Sequence, residues 1–193
     1  PWVEARLKTA YMHSAARNLY FQGQLRAALA VLSSRGIPVI ALKGVVLLEK
    51  VFRDPGLRTM KDIDLLVPAD RAEEAQALLC QMGYRPMGSP EAQERTRREH
   101  RHLPVLADPQ QRAALEVHSH IVAKRGPFRF DLADFWERAQ ETSIAGVPVL
   151  VLCPEHMLAH LSVHFFLDRR FRSYGALAQI CDIAETVRTY QGT

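Results

Sequence analysis

The stretch Ile37-Pro38-Val39-Ile40-Ala41-Leu42-Lys43-Gly44 and the later stretch Leu57-Arg58-Thr59-Met60-Lys61-Asp62-Ile63-Asp64-Leu65-Leu66-Val67 decide the fold. The first begins with a short apolar, β-branched run over 37–42, which reads as a buried strand. Pro38 sits near its start, where a missing N–H is tolerated. Lys43-Gly44 is the turn out of that strand, and residues 45–52 read as a helix until Asp54-Pro55-Gly56 stops it. Residues 61–67 form a second strand, ended by Pro68. Side chains alternate along a strand, so Asp62 and Asp64 share one face while Ile63 and Leu65 point into the core.

Upstream of this unit, residues 3–34 carry apolar positions at helical spacing and read as one or two helices, ended by Gly36. Within them, Asn18-Leu19-Tyr20-Phe21-Gln22-Gly23 matches most of an engineered viral-protease site. Arg17 stands where such sites carry Glu, and the string continues the helical pattern, so it reads as native. Downstream, 69–82 is an amphipathic helix closed by Gly83, and 84–87 a short strand. The charged stretch 88–98 reads as a mobile loop or a frayed helix. Residues 102–107 and 113–121 read as strands joined by a hairpin-like turn at Asp108-Pro109-Gln110-Gln111. A last strand covers 147–152. Pro154 then opens a helical region reaching Tyr190, with a break near 168–174.

The expected architecture is α/β (α+β): a small mixed, mainly antiparallel sheet with flanking helices and a helical C-terminal part. The expected divisions are N-terminal helices packed on the core (1–35), an α/β core (36–152) and a helical part (153–193). The chain starts at Pro1 without a Met, so both ends read as trimmed.

Two carboxylates side by side repel and raise each other's pKa; a divalent cation removes that penalty. Mg²⁺ takes one or two protein carboxylates plus phosphate oxygens and water, so Asp62 and Asp64 suit a metal–triphosphate complex. Gly44 permits close approach of a ligand to the backbone, and the helix start after it favours an anion. Lys43 and Arg58 can add positive charge against phosphates. Glu116 lies on the 113–121 strand, sharing a face with His118 and His120. If that strand neighbours the Asp62 strand, Glu116 either completes the metal site or acts as general base toward an acceptor hydroxyl. Each element also occurs without chemistry: strand–Gly–helix turns are common, Asp-x-Asp arises by chance, and Glu116 also fits an exposed edge.

The histidines split into two groups. His100 and His102 share a strand face and can line a cleft near Glu116 and His118. His156, His160 and His164 form one helix stripe. The stripe has ligand-compatible spacing, but with no Cys nearby and no His-Glu-x-x-His it reads first as a packing or substrate-facing face. Asp182 reads as a partner for Arg172 or a packing residue, with no part in chemistry.

The bulk properties restrict the class without naming it. The chain has 193 residues, 48% of them hydrophobic, which is enough for a sizeable core and unlike a disordered segment. A net charge of +4 fits a phosphate-rich ligand and equally a solvated basic surface. Three scattered cysteines, Cys80, Cys153 and Cys181, suggest neither a zinc site nor a disulfide framework, so a cytoplasmic setting is expected. No apolar run is long enough to span a bilayer, so no membrane partner is expected. P-loop, Rossmann, nucleophile-elbow and RNA-recognition signatures are all missing from the sequence.

The combination Ile-Pro-Val-Ile-Ala-Leu-Lys-Gly (37–44), Leu-Arg-Thr-Met-Lys-Asp-Ile-Asp-Leu-Leu-Val (57–67) and Leu-Glu-Val-His (115–118) resembles nucleotidyltransferases of the polymerase-beta-like superfamily. It is most similar to the bacterial "uncharacterised nucleotidyltransferase" family, some of it near peptide-biosynthesis clusters. It is also similar to the abortive-infection-type toxin nucleotidyltransferases. The resemblance covers about residues 25–165. It implies that Gly44 marks the phosphate turn, that Asp62 and Asp64 ligate metal, that Glu116 is the third carboxylate, and that the helices after Pro154 are the family's helical C-terminal part. Two departures stand out: Val45 follows Gly44 where many relatives carry a phosphate-contacting Ser, and Glu116 replaces a more usual Asp.

The expected activity is Mg²⁺-dependent (or Mn²⁺-dependent) transfer of a nucleoside monophosphate from a nucleoside triphosphate, ATP among them, to an acceptor hydroxyl. Asp62, Asp64 and Glu116 would be catalytic and metal-binding, and Lys43, Gly44 and Arg58 nucleotide-binding. His100, His102 and His118 would lie in the cleft. Two alternatives stand beside it. One is an inactive nucleotide-binding module, or accessory protein of a biosynthetic cluster, suggested by Val45. The other is a tRNA-modifying toxin-like enzyme, suggested by the Arg-rich 95–101 segment. The acceptor class stays open among protein, peptide, small molecule and tRNA.

Overall fold

Helix α1 (Trp2–Ser34) is one continuous helix and buries a single stripe: Ser14, Asn18, Phe21, Leu25, Ala28, Leu29 and Leu32. The spacing repeats every three to four residues, so the stripe faces one way and lies on the sheet. Full burial of Phe21, Leu25 and Leu32 contributes roughly 1.5–3 kcal/mol each. The helix stops at Gly36, whose φ of +63° suits a glycine. Ile37 N–H reaches back to Leu32 O at 3.0 Å and Gly36 N–H to Ser33 O at 2.9 Å, closing the last turn. The computed structural model describes residues 2–122, 127–167 and 175–192.

The sheet comprises β1 (Ile40–Leu42), β2 (Asp62–Leu66), β3 (Arg85–Pro86), β4 (Leu106–Ala107), β5 (Ala114–His118), β6 (Gln140–Ile144) and β7 (Val147–Val151). Their order is β3-β4-β5-β2-β1-β7-β6. The β1–β7 and β2–β5 pairs are parallel and the other four pairs antiparallel, so the sheet is mixed. β1 and β2 lie at its centre. Both faces are covered there: Ile40 and Leu42 are buried on the face that carries Asp64, and Ile63, Leu65, Leu115 and Val117 on the other. The helices are α2 (Gly44–Val46), which continues directly as a π-helical stretch Leu47–Phe52, α3 (Ala72–Gln81), α4 (Pro90–Glu99), α5 (Leu132–Glu137), α6 (Pro154–Leu167) and α7 (Gly175–Tyr190). The break expected at 168–174 lies outside the described residues.

Several sequence expectations change in detail. The strand expected over 102–107 shrinks to Leu106–Ala107, with His102 joined to His118 only through an isolated bridge. Pro104 has no N–H to give the ladder, and its carbonyl is taken by Gln76 Nε2 at 2.9 Å. His100 is therefore not on a strand; it caps α4. The polar stretch at 88–98 is a true helix, because Ser89 caps Ala92 N–H and Pro90 occupies the first turn. Helix α5 and strand β6 fall where the sequence suggested no element. Ala145 (φ +52°) and Gly146 (φ +76°) form the tight turn between β6 and β7; two positive φ angles suit a two-residue hairpin.

Candidate active site

The site is built where β2 and β5 run side by side. Their parallel register places Asp64 against Glu116 and Leu66 against His118. Alternation brings Asp62, Asp64, Glu116 and His118 to one face of the sheet. The conditional expectation that the Glu116 strand neighbours the Asp62 strand is thus met. β1 lies on the other side of β2, and Leu42 stands opposite Asp64. The residue after Leu42 is therefore delivered to the same carboxylate.

That residue is Lys43, with φ 45° and ψ −114°. A non-glycine residue at positive φ costs on the order of 1–3 kcal/mol, and such strain concentrates at functional turns. Lys43 Nζ donates to Asp64 Oδ1 at 2.8 Å. His118 Nε2 lies 2.7 Å from the same oxygen and 3.3 Å from Glu116 Oε2. Asp64 is essentially sealed from solvent, whereas the Glu116 side chain keeps 16% exposure and stays reachable.

Electrostatics separates the three carboxylates. Burial alone would raise Asp64, but the Lys43 ammonium and the His118 hydrogen bond outweigh it and hold the group well below the usual range. Glu116 is also lowered: burial pushes it up, the His118 contact pulls it down further, and the nearby Asp64 charge partly opposes this. Asp62 goes the other way. Burial first, then repulsion from Asp64, pushes its pKa up to about 6. An unrelieved repulsion on a buried carboxylate face is what a divalent cation would remove.

Among the described residues, Asp64, Glu116 and His118 form the group whose ligand atoms lie within 4.8 Å of one another. Asp62 sits outside that tight group while feeling both carboxylates. The imidazole is the member that sequence reasoning placed only in the cleft. Its signal was alternation from Glu116, which left its height along the sheet open. The donor set, two or three carboxylates around one shared edge, fits a hard divalent cation bound to phosphate oxygens and water.

His102 and His100 extend this face outward. His102 Nε2 is 3.9 Å from Glu116 Oε2, and its ring meets His118 and His100 edge-on at 5.4 and 5.3 Å. Burial first pushes the His102 pKa down. His102 Nδ1 lies 2.7 Å from the Leu103 carbonyl, a contact that favours the tautomer with its hydrogen on Nδ1.

Arg58 stands apart from the carboxylate group. Its Nε and Nη2 donate to Asp182 Oδ1 and Oδ2, both at 2.8 Å, in a two-pronged fork. It nevertheless packs on the Lys43–Gly44 turn: a Cβ added at Gly44 would lie 3.1 Å from Arg58 Nη1 and 3.2 Å from Met60 Sδ. The loop carrying it is pinned from α1. Asn18 Nδ2 donates to Pro55 O and Arg58 O, and Asn18 Oδ1 accepts from Met60 N–H. Tyr11 Oη donates to Asp54 Oδ1 at 2.9 Å. The 18–23 string is thus part of the support beneath the site.

The α6 histidine stripe is divided among unrelated partners. His156 stacks on Phe135 at 4.0 Å and meets Asp134 at 3.0 Å, His160 is buried, and His164 lies 3.2 Å from Gln179. No zinc-type group involves them among the described residues.

A mixed sheet carrying Asp-x-Asp on one strand, a third carboxylate on the next, and a Gly turn entering from the other side is the arrangement that the resemblance to nucleotidyltransferases implied. The chain matches the model of the "Uncharacterised nucleotidyltransferase" family over residues 1–193 and belongs to that family. It is therefore an enzyme of the nucleotidyl-transferring class. No curated protein matches it. Among solved structures it is similar to the antibiotic-resistance factor ANT(2'')-Ia in complex with adenylyl-2''-tobramycin, at 17% identity and a TM-score of 0.59, covering 88% of this chain and 89% of that one. It is also similar to the lincosamide antibiotic adenylyltransferase LnuA with lincomycin bound, at 14% identity and a TM-score of 0.55, covering 85% and 94%. A nucleotidyltransferase-like protein from Paracoccidioides brasiliensis matches at 16% identity and a TM-score of 0.51, covering 86% and 75%. At these identities the likeness is one of fold. No helix of the described residues is long and apolar enough to cross a membrane.

Proposed function

We propose that this protein transfers a nucleoside monophosphate from a Mg²⁺-bound (or Mn²⁺-bound) nucleoside triphosphate to a hydroxyl on a small-molecule acceptor, releasing pyrophosphate. The observation that carries the reading is the convergence of Asp62, Asp64 and Glu116 on one sheet face beside the strained Lys43–Gly44 turn. Asp62 and Asp64 would hold the ion, which supplies charge neutralisation on the triphosphate and a template for in-line displacement. The turn at Gly44 accepts phosphates at the backbone, with Arg58 Nη1 beside it. Lys43, now held on Asp64, would be available to a phosphate oxygen once an ion neutralised that carboxylate. Glu116 is ionised at neutral pH and partly exposed, so it is suited to accept the proton of the incoming hydroxyl.

A small acceptor is favoured over tRNA by the charge of α4. Its Arg95, Arg97 and Arg98 are matched in number by Glu91, Glu94 and Glu99. Arg97 further pairs with Glu73, and Arg98 with Glu99. A helix with no net charge supplies little of the electrostatic term on which RNA binding depends. Two of the three solved neighbours are named with an antibiotic, in keeping with this choice.

The test is calorimetry with ATP, CTP, GTP and UTP in Mg²⁺, on the wild type and on the Asp62→Asn/Asp64→Asn double variant. Mg²⁺-dependent binding that vanishes in the double variant supports the reading and identifies the donor base. No binding of any triphosphate by the folded wild type rejects it. Tight binding with no turnover on any hydroxyl acceptor would leave a nucleotide-binding module instead.

A further inference from the structure

The buried Asp182 on α7 has no place in the carboxylate face described above, yet it is tied to Arg58 across 124 residues of sequence. We propose that Asp182 is a positioning residue of the nucleotide site: it locks the Arg58 guanidinium so that Nη1 is presented to the Gly44 turn. This makes α7 part of triphosphate recognition. The inference rests on the reading that the triphosphate sits at that turn.

The geometry divides the guanidinium into two working edges. Nε and Nη2 are spent on the two Asp182 oxygens at 2.8 Å each. Nη1 donates to no described residue and lies against Gly44, where a Cβ would come within 3.1 Å. A guanidinium whose carboxylate partner occupies one edge keeps its remaining N–H groups in a fixed plane, ready for an anion. The arrangement is held at both ends. The Arg58 main-chain carbonyl accepts from Asn18 Nδ2, and the Asp182 main-chain carbonyl accepts from Thr186 Oγ1 at 2.7 Å. The Asp182 side chain is only 5% exposed and that of Arg58 17%, so the pair is fixed beneath the surface rather than solvated. Locking Arg58 before the nucleotide arrives removes the rotamer entropy that a free arginine loses on binding.

A plain strut between α7 and the core would use the same fork, so the experiment must separate affinity from stability. Asp182→Asn keeps the shape and an acceptor oxygen but loses the charge and one prong. Asp182→Glu restores the charge on a longer arm, and Arg58→Lys keeps positive charge without the fork. Each full-length variant is titrated calorimetrically with the triphosphate that the wild type binds, in Mg²⁺, and melted without nucleotide. The expected result is about tenfold weaker binding for Asp182→Asn, whose unliganded melting transition is lowered but still cooperative, and partial recovery in Asp182→Glu. Arg58→Lys should weaken binding at least as much as Asp182→Asn. Wild-type affinity in Asp182→Asn overturns the proposal, whether or not the melting temperature falls, and reduces the fork to a strut. Where Asp182→Asn unfolds, Arg58→Lys decides: wild-type affinity in that variant removes the guanidinium from triphosphate recognition and overturns the proposal. Failure of the wild type to bind any triphosphate rejects the proposed function itself, and is visible before any variant is made.

Discussion

Lys43 Nζ lies 2.8 Å from Asp64 Oδ1, and it reaches there from a backbone at φ 45° that few lysines adopt. The ammonium neutralises the carboxylate that the proposed metal ion would share. The strain of the turn is thus joined to the electrostatics of the site. Removing one partner of a buried pair leaves the other charge uncompensated. Lys43→Met should therefore destabilise the ion-free protein by roughly 3 kcal/mol, with His118 retaining part of the Asp64 interaction. Saturating Mg²⁺ should recover most of that loss. Urea unfolding of both proteins, with Mg²⁺ and with chelator, measures it; an equal deficit in both conditions would separate Lys43 from the metal role.

Asp62 titrates in the opposite sense to its neighbour. Its folded pKa of about 6 lies above the ordinary 3.8, so folding is favoured with the group protonated. This contribution is complete below about pH 4 and is lost as pH rises through 6. The ion-free protein should therefore lose on the order of 1–2 kcal/mol between those limits from this group. Asp62→Asn should abolish that loss and be the more stable protein at pH 7.5 without metal. Added Mg²⁺ should narrow the gap by stabilising the wild type alone. Melting curves across pH 4–8 for the two proteins decide it, and parallel profiles would refute the assignment.

The two central strands, the Gly36 stop and the shared face of Asp62 and Asp64 were legible because each is a local pattern: period two, a breaker, a turn. Glu116 was legible only conditionally, since alternation gives a face but not a neighbour. The parallel pairing of β2 with β5 supplied the neighbour and brought His118 onto Asp64 as well. The Arg58–Asp182 fork was beyond reach, because no local preference marks two side chains 124 residues apart as partners. Asn18 was hidden for a similar reason. On a helix wheel it continues the buried stripe, but its three bonds go to a loop that the sequence does not place. The local misreadings have local causes: Pro104 inside an apolar run, the Ser89-Pro90 cap before a charged helix, and the Ala145-Gly146 turn.

In the proposed reaction Glu116 would separate binding from chemistry. It is reachable from solvent, while Asp64 is sealed beneath Lys43 and His118. Glu116→Gln keeps the shape of the side chain and removes the base. It should leave triphosphate affinity within about threefold and lower the transfer rate by about 10²–10⁴-fold. Pyrophosphate release in the presence of an acceptor, read beside calorimetric affinity, tests this. A variant that loses nucleotide binding instead would make Glu116 a metal ligand rather than the base.

Gly44 opens the helix that follows the turn, and an alanine there loses less backbone freedom on folding than glycine. Space argues the other way. The new methyl would press on Arg58 Nη1 at 3.1 Å and on the buried Met60 Sδ at 3.2 Å. These opposed effects should leave the melting temperature of Gly44→Ala close to that of the wild type. Arg58 Nη1 nevertheless has to give by a few tenths of an ångström and the methyl covers the backbone at the turn, so triphosphate affinity should fall by about tenfold. Loss of affinity without loss of stability would mean that glycine is required here for access to the ligand rather than for the fold. A stable variant with unchanged affinity would show that phosphates do not approach the backbone at Gly44.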